Sequence, residues 1–329
     1  YSGGATCPSL LLEPSRTNDI AQSEYIGDSS WSKQSAGVAS APIVTSNYAI
    51  SPEGTLNASR VVFDINGGTS SSDFSQLFAA ATSTIGDVTN SVYIKSNTAS
   101  NYNMTFVNAL GGSFVSIVVT PEWQRFNITA TTVSTSSSFR LRLRGSESTS
   151  DSADVSLWGA QIEAGSYPTS YIPTYGVSQT RAGDLCNSAG DASTFNDSEG
   201  VLYIEGSFSQ LIRLGISENA STSNRILIGQ STTALTFIVT SQSVAVVNTS
   251  VSGYQFNQNL KIAAKYKQND FALWVNGVEV ITDTSGNTPI NLNSLDLKGQ
   301  GFNAYGNVKQ ALVFPTALSD TELASLTTI

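Results

Sequence analysis

The run FRLRLRG, residues 139–145, sets Arg140, Arg142 and Arg144 at alternate positions against Phe139, Leu141 and Leu143. In a β-strand this spacing puts three guanidiniums on one face. There they suit an acidic glycan, because a guanidinium grips a carboxylate through paired N–H donors. The plainer reading of the same residues is a solvated strand face in ion pairs with Glu147, Asp151 or Asp154 on a neighbouring strand, and the sequence leaves both readings open. Sugar sites also use aromatic faces beside amides and acids. Trp31, in a polar stretch, is the first such candidate, with packing in the core as its alternative. Trp274 is the second. An Asn276-Gly277 turn sets it opposite Glu279, where it either lines a glycan-binding sheet face or is covered by protein.

Much chemistry is excluded. The chain of 329 residues has no histidine, one methionine and two cysteines. Ser-His-Asp and Cys-His catalysis, His-ligated metals and Cys-rich metal sites are all ruled out. Catalysis would have to run on carboxylates, tyrosines or lysines. In the second half the carboxylates Glu199, Glu205, Glu218, Asp270, Glu279, Asp283 and Asp296 are scattered. A net charge of −9 argues against a nucleic-acid partner, which needs a basic footprint. No apolar run approaches the roughly 20 residues of a membrane span. No signal peptide is visible, yet the chain opens on Tyr1 and not on Met, which fits a segment removed or left out ahead of it.

These residues must be held by strands. ASRVVFDI, FSQLFAA, VTNSVYIKS, YNMTFVNA, SFVSIVVT, WQRFNITATTV and FRLRLRG follow one another at intervals of about ten residues, the mark of an antiparallel sandwich or jelly roll. VSLWGAQIEAG ends this series, with Val155 and Leu157 expected on one face and Trp158 and Ile162 on the other. Pro168 and Pro173 then fix an extended path, read as an ordered strap fastened by Tyr167, Tyr171 and Tyr175. The strand series restarts at Glu199. The turn at Asn276-Gly277 predicts a hairpin pairing Val275 with Val278 and Leu273 with Val280. Ser319 and Glu322 form a capping box for a short helix. The fold class is therefore all-β: two tandem antiparallel β-sandwich (jelly-roll) domains, over 1–186 and 187–329. Cys7 and Cys186 lie just outside the two ends of the first β half. A disulfide between them and two free thiols are both compatible with that placement.

PSLLLEPSRTN (residues 8–18), WSK at Trp31, AISPEGT (49–55), SVYIKS (91–96), WGAQIEAGSYPTSYIPT (158–174) and TRAGD (180–184) resemble a family of phage virion tail-fibre or appendage proteins with a carbohydrate-binding-module-like jelly roll. FALWVNGVEV and VKQALVFPTALSDTELASL resemble a concanavalin A-like, laminin-G-type lectin or glucanase domain. The resemblance implies a non-enzymatic protein of the virion surface or extracellular space. Its partners would be glycans, other virion proteins and copies of itself, with a trimer expected. It implies no required cofactor, although such jelly rolls often hold a structural calcium, for which Glu13 and Asp154 are the candidates. The related glucanases use a Glu-x-Asp-x-x-Glu strand, which is absent here. A secreted carbohydrate-active enzyme and a purely structural assembly module without ligand are the competing expectations.

Overall fold

The computed structural model describes residues 9–108, 113–147, 150–209, 211–297 and 305–329. The chain divides into two compact units. One spans Ser15–Ala182; the other combines Gly183–Ile329 with the segment ending at Pro14. Both are all-β antiparallel sandwiches. Among the described residues there is one helix, and none is long and apolar enough to cross a membrane.

The first strand, β1 (Leu10–Leu12), belongs to the second unit and is taken up with it below. The first unit opens with β2 (Arg16–Asn18), β3 (Trp31–Ala36), β4 (Ser40–Ala49), β5 (Ala58–Asp64), β6 (Phe74–Thr82) and β7 (Gly86–Ser96). It continues with β8 (Tyr102–Asn108), β9 (Ser113–Val119), β10 (Gln124–Thr132), β11 (Ser136–Arg144), β12 (Ser152–Ala164) and β13 (Gln179–Arg181). One five-stranded sheet runs β10-β7-β12-β5-β4 and the other β3-β6-β11-β8-β9, while β2 and β13 form a separate ribbon. Period-2 alternation explains the pairing of sheets. Val61, Phe63, Val92, Ile94, Val155 and Leu157 from the first sheet meet Trp31, Leu77, Phe106, Phe139 and Leu141 from the second in one core. Each such side chain contributes about 1.5–3 kcal/mol by leaving water.

Strand β12 departs from the expected alternation. Ile162 joins Val155 and Leu157 in the core and does not share a face with Trp158. The register slips between Trp158 and Gln161, where Gly159 adopts φ +66°. One irregularity there reverses every later side chain. Trp158 lies on the outer face under the Pro-rich strap, its ring 4.3 Å from that of Tyr171.

The strap is ordered as its prolines require. The Tyr171 hydroxyl bonds Ser23 Oγ at 2.6 Å and donates to Glu24 Oε1 at 3.0 Å, and burial pushes its pKa up. Thr169 donates through backbone and hydroxyl to the Glu163 carboxylate, which burial holds above the usual range. Asn18 ties the strap to β12. Its Nδ2 donates to the Ala160 and Ile172 carbonyls, at 3.1 and 2.9 Å, while its Oδ1 accepts from the Ile20 and Ile162 amides. Ser23 and Thr174 exchange two backbone-to-hydroxyl bonds of 2.9 Å.

The second unit contains β14 (Glu199–Phe208), β15 (Ile212–Ser217), β16 (Arg225–Gln230), β17 (Ala234–Ser241) and β18 (Val244–Ser252). These are followed by β19 (Leu260–Lys267), β20 (Asp270–Val275), β21 (Val278–Asp283), β22 (Ser294–Asp296), β23 (Gly306–Phe314) and α1 (Asp320–Thr327). Its sheets run β1-β23-β14-β19-β20-β21 and β18-β17-β16-β15-β22. Strand β1 pairs antiparallel with β23, Leu10 opposite Val308. Glu13 and Asp184 then clasp each other: the Glu13 amide donates to Asp184 Oδ2 at 2.8 Å, and the Asp184 amide to the Glu13 carbonyl at 2.9 Å. The predicted hairpin forms, with Asn276 and Gly277 both at positive φ. Val275 faces Val278 and Trp274 faces Glu279, but Leu273 meets Ile281 instead of Val280, because the register shifts between Leu273 and Trp274. The Ser319–Glu322 capping box is present and starts α1.

Candidate functional site

Strand β11 turns Phe139, Leu141 and Leu143 into the core of the first unit and its three arginines to the other face. Neighbouring strands add to that face in register. Ser32, Phe78 and Arg140 form one row; Gln34, Gln76 and Arg142 the next; Ala36, Phe74 and Arg144 the third. Gln34, Phe74, Gln76, Phe78 and the three arginines line a groove of about 460 Å³. Alternate residues on a strand stand about 6.6 Å apart, so the groove carries a short ladder of guanidiniums.

The turn after β11 brings in one carboxylate. Gly145 makes the turn: its amide donates to the Asp73 carbonyl, and a Cβ there would stand 2.5 Å from the Gly68 carbonyl oxygen. Asp73 steadies the facing loop by accepting from the Ser70 amide and hydroxyl and from the Val38 amide. These bonds, Ser70 foremost, hold its pKa below the usual carboxylate range. Glu147 then folds back. Arg142 grips it with Nε at 2.9 Å and Nη2 at 2.7 Å, and Arg144 Nη1 reaches it at 3.2 Å. Arg144 Nε also donates to the Ser71 carbonyl. The ion-pair reading therefore holds for two of the arginines, Arg142 and Arg144, which are paired to Glu147, and not for the third.

Arg140 is the exception. Its guanidinium lies 5.3 Å from the Phe78 ring centre, and its buried Nε has no hydrogen-bond partner among the described residues. Burial, and then the like charge of Arg142, draw its pKa below the ordinary guanidinium value. Beside it, Gln76 is 5% exposed and donates from Nε2 to Gln34 Oε1 at 2.9 Å, while Gln34 Nε2 donates to Ser32 Oγ at 3.2 Å. Sequence reasoning did not single out Phe74, Gln76 and Phe78. Their spacing in FSQLF was the available signal, since it is the same period-2 pattern as FRLRLRG.

The other expected site residues are not brought together. Trp31 is a core residue, 1% exposed, edge-on to Phe139, with its indole N–H donated to the Gln22 carbonyl at 2.7 Å. No ring face remains for a sugar. Trp274 is 8% exposed, in a cluster with Tyr203 of β14 and Leu323 of α1. Glu279 stands opposite it and accepts from Thr282 Oγ1, but the tryptophan face is covered by the chain's own helix. Glu13 and Asp154 fall in different units. Asp154 is engaged by Arg60, at 2.9 and 2.5 Å, and by Asn97, which hold its pKa down. No group of three or more Cys, Asp or Glu placed to hold a metal occurs among the described residues. Cys186 is half-buried and unbridged among the described residues, and Cys7 lies outside them. In the second unit a polar hollow lies beside Asp191, Asn219 and Asn293, but Asp191 is already taken up by Ser193 and Thr194.

No family model matches the chain, and no curated protein does. Solved structures resemble it distantly. Domain 4 of AbnA, an extracellular arabinanase from Geobacillus stearothermophilus solved with arabinotriose, is 12% identical over 46% of this chain and 73% of its own, with a TM-score of 0.32. The mouse laminin alpha1 LG4-5 pair is 11% identical over 78% of this chain and 91% of its own, at 0.29. The CBM22 tandem of Paenibacillus barcinonensis Xyn10C is 13% identical over 96% of this chain and all of its own, at 0.30. Likeness of this depth leaves the function to be argued from the chain itself.

Proposed function

We propose that the protein is a non-catalytic glycan-binding protein of the phage virion surface, holding its ligand in the arginine-lined groove of the first unit. The observation that carries this reading is the groove's chemistry: guanidiniums, two linked amides and aromatic rings converge on one open sheet face. Amides and guanidiniums meet sugar hydroxyls and acids, and rings pack against the apolar faces of pyranoses. Glycoside hydrolysis needs a second feature, two carboxylates about 5 to 9.5 Å apart. None lines the groove, and Glu147 is engaged by Arg142 and Arg144. The virion setting is supported by the phrases PSLLLEPSRTN and WGAQIEAGSYPTSYIPT, which bind one another through Asn18. A homo-oligomer, drawn as a trimer, would multiply weak single-site binding through many copies.

The test titrates the purified chain against a panel of soluble polysaccharides by calorimetry, with reducing-sugar release followed in parallel. Saturable binding without release is expected. Release would transfer the reading to a carbohydrate-active enzyme, and no binding up to about 1 mM sites would overturn it. Peptide mass spectrometry of purified phage particles checks the virion setting, which the chain's absence from particles would refute.

A further inference from the structure

Resting on the glycan-binding reading, we infer that the groove is an anchoring site for one acidic sugar, whose carboxylate or sulfate docks on Arg140 while its neighbouring hydroxyls meet Gln34 and Gln76. Charge decides this first. Arg142 and Arg144 share Glu147, and Arg140 has no counter-ion among the described residues. The groove therefore keeps positive charge on its floor. A partly desolvated guanidinium without a partner is costly. A protein gains from keeping one where an anion arrives to relieve it. The Phe78 ring behind Arg140 limits the directions in which the guanidinium can turn.

The amides specify the rest of the ligand. Each glutamine offers two N–H donors and one acceptor oxygen. Gln76 spends one donor on Gln34, and its own carbonyl oxygen has no bond among the described residues. Unspent donors and acceptors beside an unpaired cation match a sugar ring with hydroxyls flanking an anionic substituent. The wider field sets the scale. The whole chain carries a net charge of −9, so it offers no extended basic track along which a nucleic-acid backbone can lie. The site thus recognises a single acidic residue within a glycan, not a run of charge.

The experiment compares polygalacturonate with its carboxyl-reduced neutral counterpart, and dextran sulfate with dextran, on the full chain by calorimetry or affinity electrophoresis. Duplex DNA is run beside them. The wild type should bind at least one acidic polymer about tenfold or more tighter than its neutral partner. Arg140→Gln should lower that affinity by about ten- to a hundredfold, and Arg140→Lys should restore part of it, because an ammonium keeps the charge and loses the planar fork. Gln34→Glu, on a half-exposed position that spares the core, should weaken acidic polymers more than neutral ones. Binding to polygalacturonate should disappear as pH falls below about 4, where carboxylates protonate, while binding to dextran sulfate persists; this tells the two anions apart. Equal affinity for acidic and neutral polymers, or silence of both Arg140→Gln and Gln34→Glu, overturns the inference and leaves glycan binding standing. Equal retention of duplex DNA overturns it as well. Failure to bind any polymer overturns the glycan reading itself.

Discussion

Replacing Asn18 by alanine should unfasten the strap of the first unit. Asn18 is 0% exposed and makes four hydrogen bonds, two given and two received. At about 1 kcal/mol net for each bond, their loss amounts to about 4 kcal/mol. That is a large share of the roughly 5–15 kcal/mol that holds a domain folded. The assay is a urea titration of the full chain followed by hydrogen exchange, reading first-unit peptides that contain the Ile162 and Ile172 amides. Asn18→Ala should lower the urea midpoint of those peptides and leave those of β14 to β23 unchanged. Asn18→Asp separates the donors from the acceptors. It keeps an oxygen for the Ile20 and Ile162 amides and turns a second oxygen toward the Ala160 and Ile172 carbonyls. Its buried carboxyl should therefore have a folded-state pKa above the unfolded one, so the variant should be weakest at neutral pH and recover as pH falls. A loss below about 1 kcal/mol for Asn18→Ala, or no pH dependence in Asn18→Asp, would refute the interlock.

Asp19 gives the wild type a pH response of the same sign. Burial, with Glu163 adding to it, raises its pKa to about 6 from 3.8. The proton is held more tightly in the folded state, so stability should rise as pH falls from 7 through 6 toward 4, and Asp19→Asn should flatten that rise in calorimetric scans. The bridge between Cys7 and Cys186 stays a proposal with a direct check. Leu10 lines the same apolar hollow as Cys186. Unreduced, denatured protein should take up no alkylating reagent, and two adducts by mass would refute the bridge. Strand β9 ends its sheet with no charged residue, and Phe114 and Val118 are 50% and 48% exposed. Such an edge invites pairing, so Val118→Lys should reduce the proposed self-association in light scattering; unchanged mass would refute an edge contact through β9.

Local pattern made much of this readable. FRLRLRG announced its two faces, Asn276-Gly277 its hairpin, and Ser319 with Glu322 a helix start, because each signal lies within a few residues. What stayed hidden depends on partners far along the chain. Trp31 has polar neighbours in sequence, yet Phe139 buries it from more than a hundred positions away. Trp274 is covered by a helix whose apolar contact, Leu323, is too short a signal to announce its target. The groove was half visible: the arginines were, but only the register of β6 against β11 reveals that Phe78 and Gln76 are their neighbours. The slip at Gly159 left no mark besides a glycine. The pairing of β1 with β23 was equally invisible, since three residues cannot carry a periodic pattern.

That pairing makes the first sandwich a guest within the second. The host begins with β1, is interrupted after Pro14, and resumes at Gly183. Its two cut ends are clasped by the reciprocal Glu13–Asp184 bonds. The guest's own ends are clasped too, by β2 against β13, Arg16 opposite Arg181. A module whose entry and exit lie side by side can be excised or replaced without stretching its host. Joining Pro14 to Gly183 through a few flexible residues should leave the host sandwich with every strand it has now. Other β-sandwiches with adjacent ends could be grafted at the same junction, which makes the first unit an exchangeable cassette.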